Sequence, residues 1–257
     1  MTEAENDIEL QDEQLKQIEN EQKKFPLVAD RLPFDIVVMD YDAESSPDFH
    51  TKAKDLANTY GEIRPIRGDG NCFYRAVLVG ILEECLKDEE KAKKFLENCI
   101  SWNERLLKLG FPDWTTNDFC EFFTEWLKKV VNKEISSDIM FSDLNDDSHS
   151  NYLIIFMRLI TSGYLKEHSD EYAPFIDEGR SLADYCASEI EGMWKDADHL
   201  GITGLVMATE YNIRIEYMDR TAAPNGGWHY DIPSDVTETP EITLLYRPGH
   251  YDIIYHK

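Results

Sequence analysis
Hydrophobic and polar residues follow two periods along the chain, helical over most of its length and two-residue near its end. The run Ala76-Val77-Leu78-Val79-Gly80-Ile81-Leu82 predicts a helix buried on most sides. Apolar residues at three- and four-residue spacing predict helices over Glu89–Leu107 and Thr116–Asn132. Trp102, Leu106, Phe119, Phe123 and Leu127 would face inward, and Thr115 or Thr116 would cap the second helix. A polar loop at Asn145–Ser148 leads into a predicted helix over Asn151–Ser162 that closes near Gly163. Ser181 with Asp184 has the form of a capping box for a helix reaching about Lys195, and Asp198 opens another reaching about Glu210. Thr51–Thr59 predicts a short helix stopped near Gly61.

The period then changes. Ile213, Ile215 and Tyr217 alternate with Arg214, Glu216 and Met218, which is a strand pattern. Ile242–Tyr246 and Tyr251–His256 form two more strands around Arg247-Pro248-Gly249, after a long Gly- and Pro-punctuated loop over Thr221–Pro240. Helices followed by a compact β segment predict an α+β architecture in one domain over residues 26–257. Residues 1–25 stand apart, with eight acidic side chains up to Glu21 against the lone Lys16. Their sparse stripe of Ile8, Leu15, Ile18 and Phe25 is too thin to hold a lone helix, so the segment is either a frayed tail or a helix ordered by a partner.

Charge narrows the partners. Lys+Arg 26 against Asp+Glu 51 gives a net charge of −25, which argues against nucleic acid and steers toward basic protein segments. Five cysteines without CxxC spacing argue against zinc and against a disulfide framework, and suit a reducing compartment, the cytoplasm or the nucleus. No metal or cofactor is called for. The apolar stretch Tyr152–Ile160, interrupted by Arg158, is shorter than the about 20 residues a bilayer requires, so no membrane role is expected.

Two places carry chemistry. Gly68-Asp69-Gly70-Asn71 is a turn of residues that tolerate unusual backbone angles, and it delivers Cys72 to the first turn of the apolar helix. There, unpaired N–H groups and the helix dipole favour a thiolate and suit a developing oxyanion. Taken alone, Cys72 reads more readily as a small core residue, as most free cysteines are. The second place is the last strand, where residues two apart share a face, so His250 and Asp252 lie side by side. A carboxylate that fixes an imidazole's tautomer, with a sequence-distant cysteine, is the pattern of a nucleophilic triad. The other histidines lack such a partner. His50, His149 and His168 lie in polar surface stretches, His229 is in the long loop, His199 begins a helix and His256 is penultimate.

These residues carry a resemblance. Gly68-Asp69-Gly70-Asn71-Cys72-Phe73-Tyr74-Arg75-Ala76 and Tyr246-Arg247-Pro248-Gly249-His250-Tyr251-Asp252-Ile253 resemble the ovarian-tumour-domain cysteine proteases, most closely the otubains. Pro26-Leu27-Val28, Leu159–Leu165 and Glu216–Arg220 are also similar to otubain segments, so the likeness runs through almost the whole chain. It implies a papain-like fold with a small central sheet flanked by helices, and isopeptidase activity on ubiquitin and polyubiquitin. Carried onto matching positions, Cys72 is the nucleophile, His250 the base and Asp252 its orienter. Asp69 belongs to the loop shaping the oxyanion hole, with backbone donors at Asp69, Gly70 and Cys72. The resemblance also implies a preference for the chain type that marks proteins for the proteasome. Some otubains bind ubiquitin-conjugating enzymes and suppress transfer through an N-terminal helix, and residues 1–25 occupy the equivalent place. The rival readings are a catalytically silent ubiquitin- or conjugating-enzyme-binding module, a cysteine peptidase or acyltransferase of another substrate class, and a cysteine-regulated scaffold.

Overall fold
The structure is a computed structural model that describes residues 22–177, 179–220, 229–235 and 239–257. Among these, six strands form one mixed sheet: β1 (Leu32–Pro33), β2 (Tyr60–Arg64), β3 (Ile213–Tyr217), β4 (His229–Ile232), β5 (Ile242–Arg247) and β6 (His250–His256). Their order is β1-β2-β6-β5-β3-β4, and all neighbours are antiparallel except β3 and β5. The two-residue period sorts side chains onto opposite faces. Ile253 enters the large core with Val77, Leu78 and Ile81, whereas Ile254 enters a smaller core with Phe34, Val37, Leu56 and Tyr60. The sheet is therefore covered on both sides, and the α+β expectation of a central sheet flanked by helices holds.

The helix carrying Cys72 is α3 (Cys72–Lys87), following α1 (Asp35–Met39) and α2 (Pro47–Thr59). It lies against β5 and β6 and is buried on nearly every side, so its apolar run is core. Helices α4 (Glu89–Lys108), α5 (Asp113–Val131), α6 (Ser137–Asn145) and α7 (Asp147–Glu167) complete the large core. Trp102, Leu106, Phe123 and Leu127 are buried as expected, while Phe119 is only half-buried and rests on Tyr152.

Several expectations need correction. No loop spans Asn145–Ser148: α6 ends and α7 begins around Asp146 alone, whose carboxylate caps α7 by accepting from the His149 N–H. Gly163 does not end α7; it lies inside the helix, close under Leu106 and Trp102. No threonine side chain caps α5, which starts after Pro112. Ser181 does cap a helix, but that helix, α9 (Leu182–Tyr185), passes into a single π-turn at Cys186–Ile190 well short of Lys195. It follows α8 (Ser169–Tyr172) and precedes α10 (His199–Thr209), which Asp198 caps as expected. The stretch read as one loop over Thr221–Pro240 contains β4, and Tyr60–Arg64 beyond the predicted stop is strand. The apolar stripe at Ile8, Leu15 and Ile18 lies outside the described residues.

Candidate active site
Three hydrogen bonds hold the turn before Cys72. Gly70 sits at φ +75°, a conformation that glycine adopts without a Cβ penalty, and Asn71 at φ −110° does not share it. The Asp69 carboxylate accepts from the Asn71 N–H at 2.9 Å and from Arg75 Nη1 at 2.9 Å, so the turn is tied to the helix it begins. Arg75 is fully buried. The Asp69 N–H donates to the Arg67 carbonyl at 3.1 Å, which commits it away from a ligand. Among the described residues no hydrogen bond engages the N–H of Gly70 or of Cys72, both at the positive end of α3.

The imidazole arrives on the β5–β6 hairpin. Arg247 pairs with His250 across its two-residue turn, where Gly249 takes φ +76°. His250 Nε2 lies 2.9 Å from Asp252 Oδ1. The other ring nitrogen, Nδ1, is turned toward the nucleophile turn, 3.3 Å from where a Cβ on Gly68 would lie. Burial opposes charge on this ring, yet hydrogen bonds with Asp252 on one side and Cys72 on the other raise its pKa to about 10. Cys72, His250 and Asp252 thus lie together in space. Asp252 is fully buried and fully engaged: Oδ1 also accepts from the Ile66 N–H at 2.9 Å, and Oδ2 accepts from Arg247 Nη2 at 2.6 Å. Burial would raise its pKa, but these donors hold it below the usual carboxylate value.

Two clefts meet this centre. One, of about 400 Å³, runs past Cys72 and is lined by Asp196, Asp198, Asp219, Tyr217, Tyr246 and Tyr251. The other, of about 590 Å³, follows Gly68 and Asp69 and is walled by Arg67, Asp147, Asn151 and Trp194. No group of three His, Cys, Asp or Glu that could hold a metal occurs among the described residues.

A family model described as "Peptidase C65 Otubain" matches residues 20–256. The chain belongs to the otubain family. Among its relatives, "Ubiquitin thioesterase otubain-like" of Caenorhabditis elegans is 58% identical over 99% of this chain and 90% of its own length. Human "Ubiquitin thioesterase OTUB1" is 39% identical over 90% of this chain and 83% of its own. A solved structure described as "The structure of a ceOTUB1 ubiquitin aldehyde UBC13~Ub complex" superposes with a TM-score of 0.91 at 59% identity, covering 95% of this chain and 99% of that one. Another, "The structure of h/ceOTUB1-ubiquitin aldehyde-UBCH5B~Ub", has a TM-score of 0.89 at 54% identity over 97% and 99%.

In this otubain the histidines outside the site differ in part from expectation. His149 is not solvated: its ring packs on Phe122 and Trp126, and its buried Nε2 has no partner among the described residues. His168 stacks on Tyr164, and His229 lies on β4 with Nδ1 3.9 Å from the Glu216 carboxylate. Sequence reasoning missed the three arginines that brace the otubain centre. Arg75 and Arg247 lie inside the two candidate motifs, three residues after Cys72 and three before His250, which is the signal that could have flagged them. Arg158 was visible only as an interruption of an apolar run.

Proposed function
We propose that this otubain is a cysteine isopeptidase that hydrolyses the bond between a ubiquitin C-terminal glycine and a lysine Nε. The observation that carries the reading is the relay from buried Asp252 through half-buried His250 to Cys72, reached by two clefts. Cys72 is the nucleophile. Its Sγ attacks the glycine carbonyl carbon, and the carbonyl electron pair moves onto oxygen. That oxyanion is received by the N–H groups of Gly70 and Cys72; Asp69 contributes through its side chain, which fixes the turn, because its own N–H is held by Arg67. The intermediate collapses, the C–N bond breaks, and His250 Nδ1 gives its proton to the departing amine. His250 then takes a proton from water, which adds to the thioester and releases the free carboxylate and the Cys72 thiolate. Asp252 keeps Nε2 bound throughout, so only Nδ1 exchanges the proton.

The acidic cleft beside Cys72 fits a substrate tail that carries arginines, and the second cleft leaves room for the lysine-bearing partner. We assign to this otubain the proteasome-targeting chain type as preferred substrate, a reading that rests on the family resemblance; a cleavage panel over the differently linked di-ubiquitins tests it. Hydrolysis of a ubiquitin C-terminal amide by wild type and not by Cys72→Ala tests the activity itself, and equal rates would overturn it.

A second activity is favoured by the relatives' structures, whose descriptions include UBC13~Ub and UBCH5B~Ub. We infer that this chain also binds charged ubiquitin-conjugating enzymes, with the acidic N-terminal segment contributing. Truncation is best made after residue 21, because the Phe25 carbonyl holds Arg67 Nε at 2.7 Å beside the nucleophile turn. The truncated protein should cleave normally and inhibit conjugation less; equal inhibition would count against the assignment.

A further inference from the structure
Arg158 is the sole charged residue in the apolar run from Tyr152 to Ile160 on α7, and it is fully buried. Among the described residues none of its acceptors is a carboxylate. Its Nε and Nη2 donate to Asn71 Oδ1 at 3.1 and 2.7 Å, Nη2 also reaches the carbonyls of Gly70 at 2.9 Å and Lys195 at 2.6 Å, and Nη1 donates to the Ile190 carbonyl at 3.0 Å. The guanidinium plane lies over the Tyr74 ring, 4.2 Å from its centroid. Burying a cation without a directly bonded counter-ion costs several kcal/mol, more than an apolar side chain of that volume would, and the charges of Asp69 and Cys72 nearby do not outweigh its desolvation. Stability alone therefore does not account for an arginine here.

Its partners do. Gly70 and Asn71 form the turn before Cys72, and Ile190 and Lys195 bound the segment closing over that turn. The same segment brings the Trp194 N–H to Asn71 Oδ1 at 3.3 Å, with Trp194 itself at φ +66°. It approaches so closely that a Cβ on Gly70 would lie 2.4 Å from the Trp194 carbonyl oxygen. Arg158 thus grips the Gly70 carbonyl and the Asn71 side chain from behind. The two peptides flanking that grip supply the N–H groups of Gly70 and Cys72. Were the grip lost, the Gly70–Asn71 peptide would be held only through its N–H on the Asp69 carboxylate, its carbonyl side would be released, and the donors beside it would lose their common aim.

We propose that Arg158 is a positioning residue for the oxyanion hole, orienting the Gly70 and Cys72 N–H donors through the Gly70 carbonyl and the Asn71 amide. This rests on the proposed hydrolysis of ubiquitin amides. Planarity is essential, because a lysine at this position keeps a cation but cannot span acceptors on both segments.

The test uses Arg158→Met, Arg158→Lys and, from the other end of the same hydrogen bonds, Asn71→Ala, which keeps the question open should Arg158→Met not fold. Five quantities are read on the full chain: kcat and KM for a ubiquitin C-terminal aminocoumarin, the Ki of ubiquitin aldehyde, the Kd of free ubiquitin, and the rate of labelling by ubiquitin propargylamide. The aldehyde adduct places an oxyanion in the hole; the propargylamide adduct does not. The expected result is a kcat lower by on the order of 10²-fold in all three variants, the loss typical of one oxyanion donor. The aldehyde Ki should weaken by the same factor, with KM, ubiquitin Kd and propargylamide labelling within about threefold of wild type, inside the scatter of a surface substitution. Labelling and ubiquitin binding that fall together with kcat would overturn the proposal, since the whole site would then be disturbed. So would full activity of Arg158→Lys, which would make charge alone sufficient, or an unchanged aldehyde Ki. Wild type that fails to hydrolyse the aminocoumarin would instead sink the isopeptidase reading itself.

Discussion
Asp252→Asn is the most informative single change at the centre. It removes one negative charge and one of two acceptor oxygens while keeping the shape. If the amide oxygen takes the place of Oδ1, it still meets the Ile66 N–H and His250 Nε2, both 2.9 Å away in wild type. The new NH2 then faces Arg247 Nη2, which sits 2.6 Å from Oδ2, so two donors oppose each other in a fully buried place. The reverse orientation presents NH2 to His250 and promotes the wrong tautomer. At about 1.4 kcal/mol per pH unit, the rise of the His250 pKa from 6.5 to about 10 represents roughly 5 kcal/mol of preference for the imidazolium. Asp252 and Cys72 share that preference. Loss of the Asp252 charge should lower the alkaline limb of kcat/KM by about one to three pH units, the range a single opposite charge produces. At neutral pH kcat should fall by up to on the order of 10⁴-fold if the wrong tautomer dominates. The assay is hydrolysis of ubiquitin aminocoumarin from about pH 6 to about pH 11, with circular dichroism at each pH to confirm the fold. A folded variant whose alkaline limb stays near 10 would refute the reasoning.

Stability should follow the same groups. The His250 pKa is raised, so its contribution is complete below 6.5 and is lost as pH climbs through about 10; that of Asp252 is lowered, so its contribution is present above the ordinary carboxylate value and is lost on acidification. Thermal melts should therefore plateau from above the carboxylate range to about pH 6.5 and fall from there toward about pH 10, and a Tm that rises over that interval would contradict it. Gly70→Ala forces a Cβ to 2.4 Å from the Trp194 carbonyl oxygen at φ +75°, so activity should collapse even if the fold survives. Near-normal turnover of that variant would mean the turn adapts freely. Asp196→Lys reverses an exposed charge in the cleft beside Cys72. It should raise KM by roughly fivefold, about 1 kcal/mol for an exposed pair, with kcat kept and less dependence on salt. An unchanged KM would detach that carboxylate from substrate binding.

The positions of Cys72, His250 and Asp252 were legible because each announces itself locally. Gly-Asp-Gly-Asn before an apolar run marks a turn into a helix, and His250-x-Asp252 needs only the two-residue period of a strand. Strands β3, β5 and β6 were legible for the same reason. Strand β2 was not, since Tyr60-Gly61-Glu62-Ile63-Arg64 has charges where the period asks for apolar groups. One of them, Arg64, is buried because Glu83 on α3 meets it at 2.9 Å. Nothing in the local pattern announces that pairing. Gly163 misled in the opposite direction, because a glycine inside a helix reads as a stop unless Trp102 and Leu106 are known to press against it. Arg158 shows the same limit most clearly: four acceptors from two separate loops explain it, and those loops meet only in the folded chain.

The central claim is that one cysteine of five is the nucleophile, aligned by a histidine from the far end of the chain. Peptide mass spectrometry after reaction with ubiquitin propargylamide tests it most directly. The expected product is a single adduct, on the peptide containing Cys72, which is absent in Cys72→Ala. An adduct on Cys85, Cys99, Cys120 or Cys186, or no adduct on the folded wild-type chain, would contradict the account.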